Sequence, residues 1–240
     1  VALFNKKINL FVKGREKTFS ILDRGLKETD QVIWIHVASL GEFEQGLPII
    51  EKLNAEYPSH KILLTFFSPS GYEVKKDTKS VDLVCYLPID TSKNARLFLK
   101  KVNPKLTIFV KYEIWPHFLK ELGRRNIPTL LVSAKFKKKQ IYFKPFGGFM
   151  RRSLKIFEHI FVQDEKSKKL LESIQIENVT ISGDTRFDRV AQIIERSNDN
   201  DIIRSFKNEQ ICLVAGSTWP EDETIIVASI NTSGRPIKWV

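Results

Sequence analysis

The sequence predicts an α/β fold: a Rossmann-like, doubly wound parallel sheet followed by only the start of a second Rossmann-like domain. Two observations predict it. From Gln31 onward, apolar runs of strand length alternate with segments of helical period, and this alternation lapses after Arg186 and begins afresh at Ile211. A chain of 240 residues with 42% hydrophobic content and only 11 glycines and 10 prolines also has room for one large domain, or for one domain and part of another.

Residues 1–30 are basic and polar, and they read as a connector leaving a preceding membrane anchor. Within them Phe19, Leu22 and Leu26 recur at helical spacing between two turn-like stretches, Gly14-Arg15-Glu16-Lys17 and Arg24-Gly25-Leu26-Lys27. Residues 31–186 form the expected N-terminal domain, with strands at 32–38, 61–67, 81–87, 106–110, 129–132, 159–162 and 179–181. Phe43, Leu47, Ile50 and Leu53 mark one covering helix. Ala95, Phe98, Leu99 and Val102 mark another, which stops at Asn103-Pro104. Residues 187–210, dense in charge with Asn and Asp, read as an interdomain linker. Residues 211–240 restart the pattern with the strand-like Ile211-Cys212-Leu213-Val214, Thr218 as a helix cap and Pro220 in the first turn. The chain ends inside another strand-like run, as expected for a piece of a longer protein.

Composition excludes several classes. Lys, Asp or Glu interrupts every apolar run before it reaches the ~20 residues a membrane-spanning helix needs. The opening Val1-Ala2-Leu3-Phe4-Asn5-Lys6-Lys7 lacks the apolar core and cleavage site of a secretory signal. Cys85 and Cys212 each sit in an apolar run, which suits buried thiols in a reducing cytoplasm. His36, His60, His117 and His159 show no metal-ligand spacing. No P-loop is present and no G-x-G-x-x-G follows the first strand, which argues against NTP hydrolysis and dinucleotide redox chemistry. A net charge of +11 favours anionic partners: nucleic acid, acidic substrates or an anionic membrane.

Four places carry candidate chemistry. Glu42, in Trp34-Ile35-His36-Val37-Ala38-Ser39-Leu40-Gly41-Glu42, stands where the first strand gives way to a helix, the edge at which open α/β sheets hold ligands. It fits a general base beside a positive helix N-terminus, with Gly41 allowing close approach. On local pattern alone it fits better still the last position of an S-x-x-E capping box opened by Ser39, since caps outnumber catalytic bases. Glu113, in Lys111-Tyr112-Glu113-Ile114-Trp115-Pro116, follows another strand and should emerge at the same edge, as a second acid of one site or as an ordinary partner of lysine. Arg186, in Ser182-Gly183-Asp184-Thr185-Arg186, could neutralise an anion in the cleft or belong to a salt-bridged linker. The turn Phe66-Phe67-Ser68-Pro69-Ser70-Gly71 suits substrate contact or is simply a turn.

A fifth region is a surface. Lys135, Lys137, Lys138, Lys139, Lys144, Arg151, Arg152 and Lys155 stand without an acid and are interleaved with Phe136, Tyr142, Phe143, Phe146 and Phe149. Cations mixed with rings suit an anionic membrane interface, and the same chemistry would serve single-stranded nucleic acid.

Taken in order, the blocks His36 through Glu42, Phe67-Ser68-Pro69, Tyr86-Leu87-Pro88-Ile89-Asp90, Glu113-Ile114-Trp115-Pro116, Gly183 through Asp188 and Ala215-Gly216-Ser217 resemble the bacterial 3-deoxy-D-manno-octulosonic acid (Kdo) transferases. The resemblance implies a two-domain inverting glycosyltransferase of GT-B type that needs neither metal nor other cofactor. It would move Kdo from CMP-Kdo to a lipid A precursor, lipid IVA, in lipopolysaccharide biosynthesis. It implies Glu42 as general base, Glu113 and Arg186 as transition-state stabilisers, and Ser39, Gly41, Ser68, Ser70, Gly216 and Ser217 as substrate contacts. It further implies a place at the cytoplasmic face of the bacterial inner membrane, with Lys137, Lys138, Lys139, Phe143, Phe146, Phe149, Arg151 and Arg152 toward the lipid and no nucleic-acid partner. Relatives often carry an acid where this chain has Lys111 and a lysine where it has Arg186. The family's cytidine- and Kdo-binding motifs lie beyond Val240, so the piece is expected to be inactive alone. A basic α/β nucleic-acid module and a GT-B enzyme with another donor are the competing expectations.

Overall fold

The computed structural model describes residues 6–195, 200–232, 234 and 236–240. The opening residues 1–5 and residues 196–199 of the expected linker lie outside the described residues. Contacts divide the chain between Ala191 and Gln192 into two units.

In the first unit, helices α1 (Lys6–Glu16) and α2 (Thr18–Gly25) precede strand β1 (Gln31–Val37) and helix α3 (Leu40–Glu56). Strand β2 (His60–Phe66), helix α4 (Pro69–Lys75), strand β3 (Leu83–Tyr86) and helix α5 (Ser92–Val102) follow. Next come β4 (Leu106–Val110), α6 (Pro116–Arg124), β5 (Thr129–Ala134), a 3-10 turn (Ile141–Phe143) and α7 (Gly148–Leu154). The unit closes with β6 (His159–Val162), α8 (Glu165–Glu172), β7 (Val179–Ile181) and α9 (Thr185–Glu195), which runs across the division.

The seven strands form one sheet in the order β3-β2-β1-β4-β5-β6-β7, every pair parallel. This is the α/β doubly wound sheet the alternation predicts. Buried parallel strands read as continuous apolar runs, and that is why they were legible. The chain steps outward from β1 to β3, then returns to lay β4 on the other side of β1. The switch point of the sheet therefore falls between β1 and β4, and the carboxyl ends at such a point are where open α/β sheets hold ligands. Ala38 to Glu42 and Lys111 to Trp115 are the loops that leave those two ends.

Alternation along β1 sends its side chains to two cores. Ile33, Ile35 and Val37 join Phe43, Leu47 and Ile50 of α3 on one face. Trp34 faces the other core, where its ring packs on Phe98, Phe109 and Phe118 at centroid distances of 4.8, 5.3 and 5.8 Å. Its indole N–H donates to Thr65 Oγ1 at 2.8 Å, so this large buried ring leaves no donor unmet.

The first 30 residues, expected as a connector, fold from Lys6 onward onto the β3 edge. Leu22 is buried in the core, and Thr18 Oγ1 donates to the Tyr86 carbonyl at 3.0 Å. Arg15 lies over the rings of Phe11, Phe67 and Tyr86 and donates to the Phe67 carbonyl at 2.7 Å. The helical spacing of Phe19, Leu22 and Leu26 is what drives this docking; the basic composition around it hid the apolar stripe. The expected linker 187–210 is itself largely helical, with α9 at its start and α10 (Asp201–Lys207) within it.

In the second unit, β8 (Ile211–Leu213) and β9 (Ile237–Trp239) pair in parallel and are joined through α11 (Pro220–Thr232). The expected cap Thr218 donates instead to Glu223 Oε1 at 3.0 Å, while Asp222 accepts from the Trp219 amide at 3.1 Å.

Gly71 marks the tightest approach near the crevice. A Cβ there would stand 2.6 Å from the Phe66 ring and 2.9 Å from the Leu40 backbone nitrogen. Gly71→Ala is expected to cost about 1–3 kcal/mol, the usual range for overpacking. A lowered urea midpoint is the expected result, and an unchanged midpoint would show that α4 shifts freely.

Candidate active site

The turn between β1 and α3 builds the first acid. Ser39 is extended at φ −142° and ψ 172° but makes no capping bond through its side chain. The carboxylate of Glu42 folds back instead, and Oε2 accepts from the Ala38 amide at 2.5 Å. Half of the capping box is thus present, donated to by the residue before Ser39. An ordinary capping carboxylate sits below its usual range, because amide donors favour its charge. Glu42 does not. It is 8% exposed, and burial together with the nearby charge of Glu113 pushes its pKa up to about 7, against the opposing pull of the Ala38 and Ser39 amides and Lys111. A carboxylate balanced near neutrality can take a proton and release it again.

Glu113 is the source of that repulsion, and its loop is firmly built. Lys111 adopts a left-handed φ of 72°, which turns the chain sharply out of β4, and its amide donates to the Val132 carbonyl at 2.8 Å. Glu113, 9% exposed, accepts on Oε2 from Trp115 Nε1 at 2.9 Å and from His36 Nε2 at 3.2 Å. Trp115 packs on Phe67 at 5.0 Å between ring centroids. Helix α6 has no capping side chain of its own. Asp90 supplies the cap from outside, accepting from the amides of His117 and Phe118 at 3.2 and 3.1 Å. The Tyr86-to-Asp90 block thereby pins the loop that carries Glu113.

Arg186 takes the salt-bridged arrangement that was one of its two readings. It is exposed, and its Nε and Nη2 both donate to Asp184 Oδ2, at 2.9 and 2.5 Å, with Nε also 3.1 Å from Oδ1. The guanidinium holds the Asp184 carboxyl down at about 2. Gln45 Nε2, one helical turn beyond Glu42, donates to the same Asp184 at 3.0 Å. Arg186 is therefore tied to α3 through Asp184 and Gln45, while Glu42 and Glu113 form the close pair. Glu44 secures the same edge by bridging Lys75 at 3.0 Å and Arg189 at 2.9 Å.

The small residues gather beside this pair. The Ser68 amide donates to the Ala38 carbonyl at 2.7 Å, which sets the Ser68–Ser70 turn against the Ala38–Ser39 turn. Ser68 Oγ lies 2.7 Å from Ser70 Oγ, and it also accepts from the Ser70 amide at 3.3 Å to cap α4. Gly41 is exposed, and a Cβ there would meet nothing within 4 Å, so the space above it is open. Gly216 and Ser217 belong to the second unit, both exposed, Ser217 with a left-handed φ of 61°.

The basic aromatic region is corrected in part. Phe136 and Tyr142 are buried in the core and Phe143 packs half-buried against it, so these rings serve folding. Arg151 is a brace: its guanidinium donates to the carbonyls of Tyr142 and Lys144 at 3.1 and 2.8 Å. The surface that remains consists of Lys137, Lys138, Lys139 and Arg152 with Phe146 and Phe149, the two rings 78% and 56% exposed. Beside it a cleft of about 360 Å³ between α6 and α7 is lined by Pro116, His117, Lys120, Phe149, Arg152 and Ile156, without an acid. Among the described residues no helix is long and apolar enough to cross a membrane, and no three His, Cys, Asp or Glu side chains group to hold a metal ion.

His36, Thr65 and Asp90 were missed as site-building residues. One signal was available: a histidine inside the apolar run Trp34 to Val37 must find buried partners, and a carboxylate at the strand edge is an apt one.

Comparison with known proteins fits this geometry. A family model described as 3-Deoxy-D-manno-octulosonic-acid transferase (kdotransferase) matches residues 13–189. A 3-deoxy-D-manno-octulosonic acid transferase of Rickettsia bellii is 30% identical over 209 residues, covering 86% of this chain and 49% of the relative. One from Aquifex aeolicus is 31% identical over 177 residues, covering 70% of this chain and 46% of the relative. The chain thus spans about half the length of the relatives it matches. Among solved structures, a UDP-GlcNAc 2-epimerase from Neisseria meningitidis bound to UDP-GlcNAc aligns with a TM-score of 0.60 at 15% identity, covering 87% of this chain and 64% of the other. That likeness is one of fold.

The strain at Glu42 has a thermodynamic signature. Its pKa in the folded chain is about 7 against an ordinary 4.5, so between these values the folded protein holds a proton that the unfolded chain has released. Stability therefore falls as pH rises through that window and stays reduced above it. Glu42→Gln keeps an oxygen for the Ala38 amide and removes the charge. It is expected to raise unfolding free energy at about pH 8 by on the order of 2 kcal/mol, with the gain gone at about pH 4. Urea denaturation at both pH values measures this, and a Gln variant no more stable than wild type at the higher pH would contradict the assignment.

Proposed function

The chain belongs to the 3-deoxy-D-manno-octulosonic-acid transferase family, and from that premise we propose that it is the acceptor-binding half of an inverting, metal-independent glycosyltransferase. The donor is CMP-Kdo and the acceptor a lipid A precursor, lipid IVA. The observation that carries this reading is Glu42, a buried carboxylate with a pKa of about 7 beside Glu113 at the switch point of the sheet.

A sugar hydroxyl is a weak nucleophile at neutral pH and needs a base as its proton leaves. With Oε2 engaged by the Ala38 amide, Oε1 of Glu42 receives that proton. The hydroxyl oxygen forms its bond to the anomeric carbon of Kdo from the face opposite the nucleotide. The bond from that carbon to the phosphate oxygen breaks, and CMP departs with the electron pair. Attack from the opposite face inverts the centre. Glu113 contributes negative charge near a carbon that becomes oxocarbenium-like in the transition state, and it keeps Glu42 basic. Ser39, Gly41, Ser68 and Ser70 offer amides, hydroxyls and open space to the acceptor sugar. Arg186 gives positive charge toward the anionic donor.

The acceptor is an anionic amphiphile, so the enzyme works where lipid is. Lys137, Lys138, Lys139 and Arg152 with exposed Phe146 and Phe149 suit the cytoplasmic face of an anionic inner membrane. Burial of Phe136 and Tyr142 leaves fewer rings for base stacking than the sequence offered.

In the full-length protein, Glu42→Gln is expected to lower transfer from CMP-Kdo by about 10²–10⁴-fold, the span of general base catalysis, while a chelator leaves wild-type transfer unchanged. Transfer by the variant within a few-fold of wild type would overturn the proposed base.

A further inference from the structure

The buried polar group that the transfer scheme leaves without a task is His36. It is fully buried in β1, in a strand whose other inward side chains are apolar. An imidazole in such a place costs stability unless both ring nitrogens are partnered, and both are. Nδ1 lies 2.8 Å from Thr65 Oγ1, and Nε2 lies 3.2 Å from Glu113 Oε2. A carboxylate oxygen only accepts, so Nε2 carries the proton and donates.

The ring is held from both sides. Thr65 on β2 and Phe109 on β4 are its register partners in the sheet, and Phe109 meets it edge-on at 5.8 Å. Trp34 Nε1 donates to the same Thr65 Oγ1 at 2.8 Å. A chain of contacts thus runs Trp34, Thr65, His36, Glu113 and Trp115, and it begins at fully buried side chains of β1 and β2. Trp115 also donates to Glu113, but it stands two residues away in the same loop. Among the described residues, His36 is the one that ties that carboxylate to a strand.

We propose that His36 is a positioning residue for transfer: it holds Glu113 in the place from which that carboxylate acts on Glu42. This rests on the transferase function proposed above. The charged and titratable groups facing the pair are Lys111 from the β4 loop, Tyr142 from the 3-10 turn, and the two glutamates themselves. Released from His36, Glu113 swings on its loop and its repulsion of Glu42 weakens. Glu42 then returns toward an ordinary carboxylate, which is a weaker base.

The test is the pH dependence of kcat in the full-length enzyme. His36→Leu removes the donor at similar volume. It is expected to lower kcat about 10-fold and to move the acid limb down by about one pH unit, with KM for the acceptor nearly unchanged. His36→Gln, whose amide N–H can reach Glu113, should restore much of both. If His36→Leu fails to fold, Thr65→Val, which frees the far side of the ring, should move the same limb in the same direction. An acid limb that stays in place in the folded variants, with Glu42→Gln inactive, would overturn the positioning role and leave the base standing. An active Glu42→Gln would overturn the transferase function on which the proposal depends.

Discussion

One carboxylate, bent back onto the amide that precedes its own helix, sets the character of this molecule. Glu42 is drawn inward by Ala38 and pressed upon by Glu113, and the two effects oppose each other. Burial decides the balance, because removing a carboxylate from water disfavours its charged form more than two amides favour it. The sheet exists in the order that makes this possible. With β4 laid beside β1, the loops that carry the two acids leave neighbouring strand ends and cannot avoid each other.

The surrounding scaffold works to keep the acids close. Asp90 caps α6 from a different loop, and Arg15 clamps the Phe67 carbonyl beneath three rings. The Ser68 turn bonds to Ala38. Each of these contacts joins segments far apart in sequence, and each fixes either backbone within a few residues of Glu42 or Glu113 or the Phe67–Ser68 turn, whose amides bond to Val37 and Ala38. Stability and chemistry are opposed at this spot. A neutral side chain at position 42 would fold more favourably at neutral pH and could accept no proton, which is the usual relation between a strained site and its function.

The sheet was legible in the sequence because buried parallel strands announce themselves. The expected strands at 106–110, 159–162 and 179–181 match β4, β6 and β7, and the others differ at their ends by at most two residues. The basic segments were harder. In residues 1–30 the apolar stripe of Phe19, Leu22 and Leu26 lay among lysines, so helices that pack on β3 read as a connector. Between Lys135 and Phe157 no single period sorts the rings, and only the fold shows that Phe136 and Tyr142 turn inward while Phe146 and Phe149 turn out. At the site, S-x-x-E spacing could not separate a cap from a base, since the same side chain makes the capping contact and sits beside a second acid. The partner that fixes that acid, His36, is 77 residues away from it in sequence.

The most direct measurement is a carbon-detected NMR titration of the Glu42 side-chain carboxyl in this chain, repeated with Glu113→Gln. The charge pair described here requires a midpoint of about 7 in the wild type and a lower one once the opposing charge is gone. A wild-type midpoint near the ordinary value of 4.5, or one indifferent to Glu113, would contradict it.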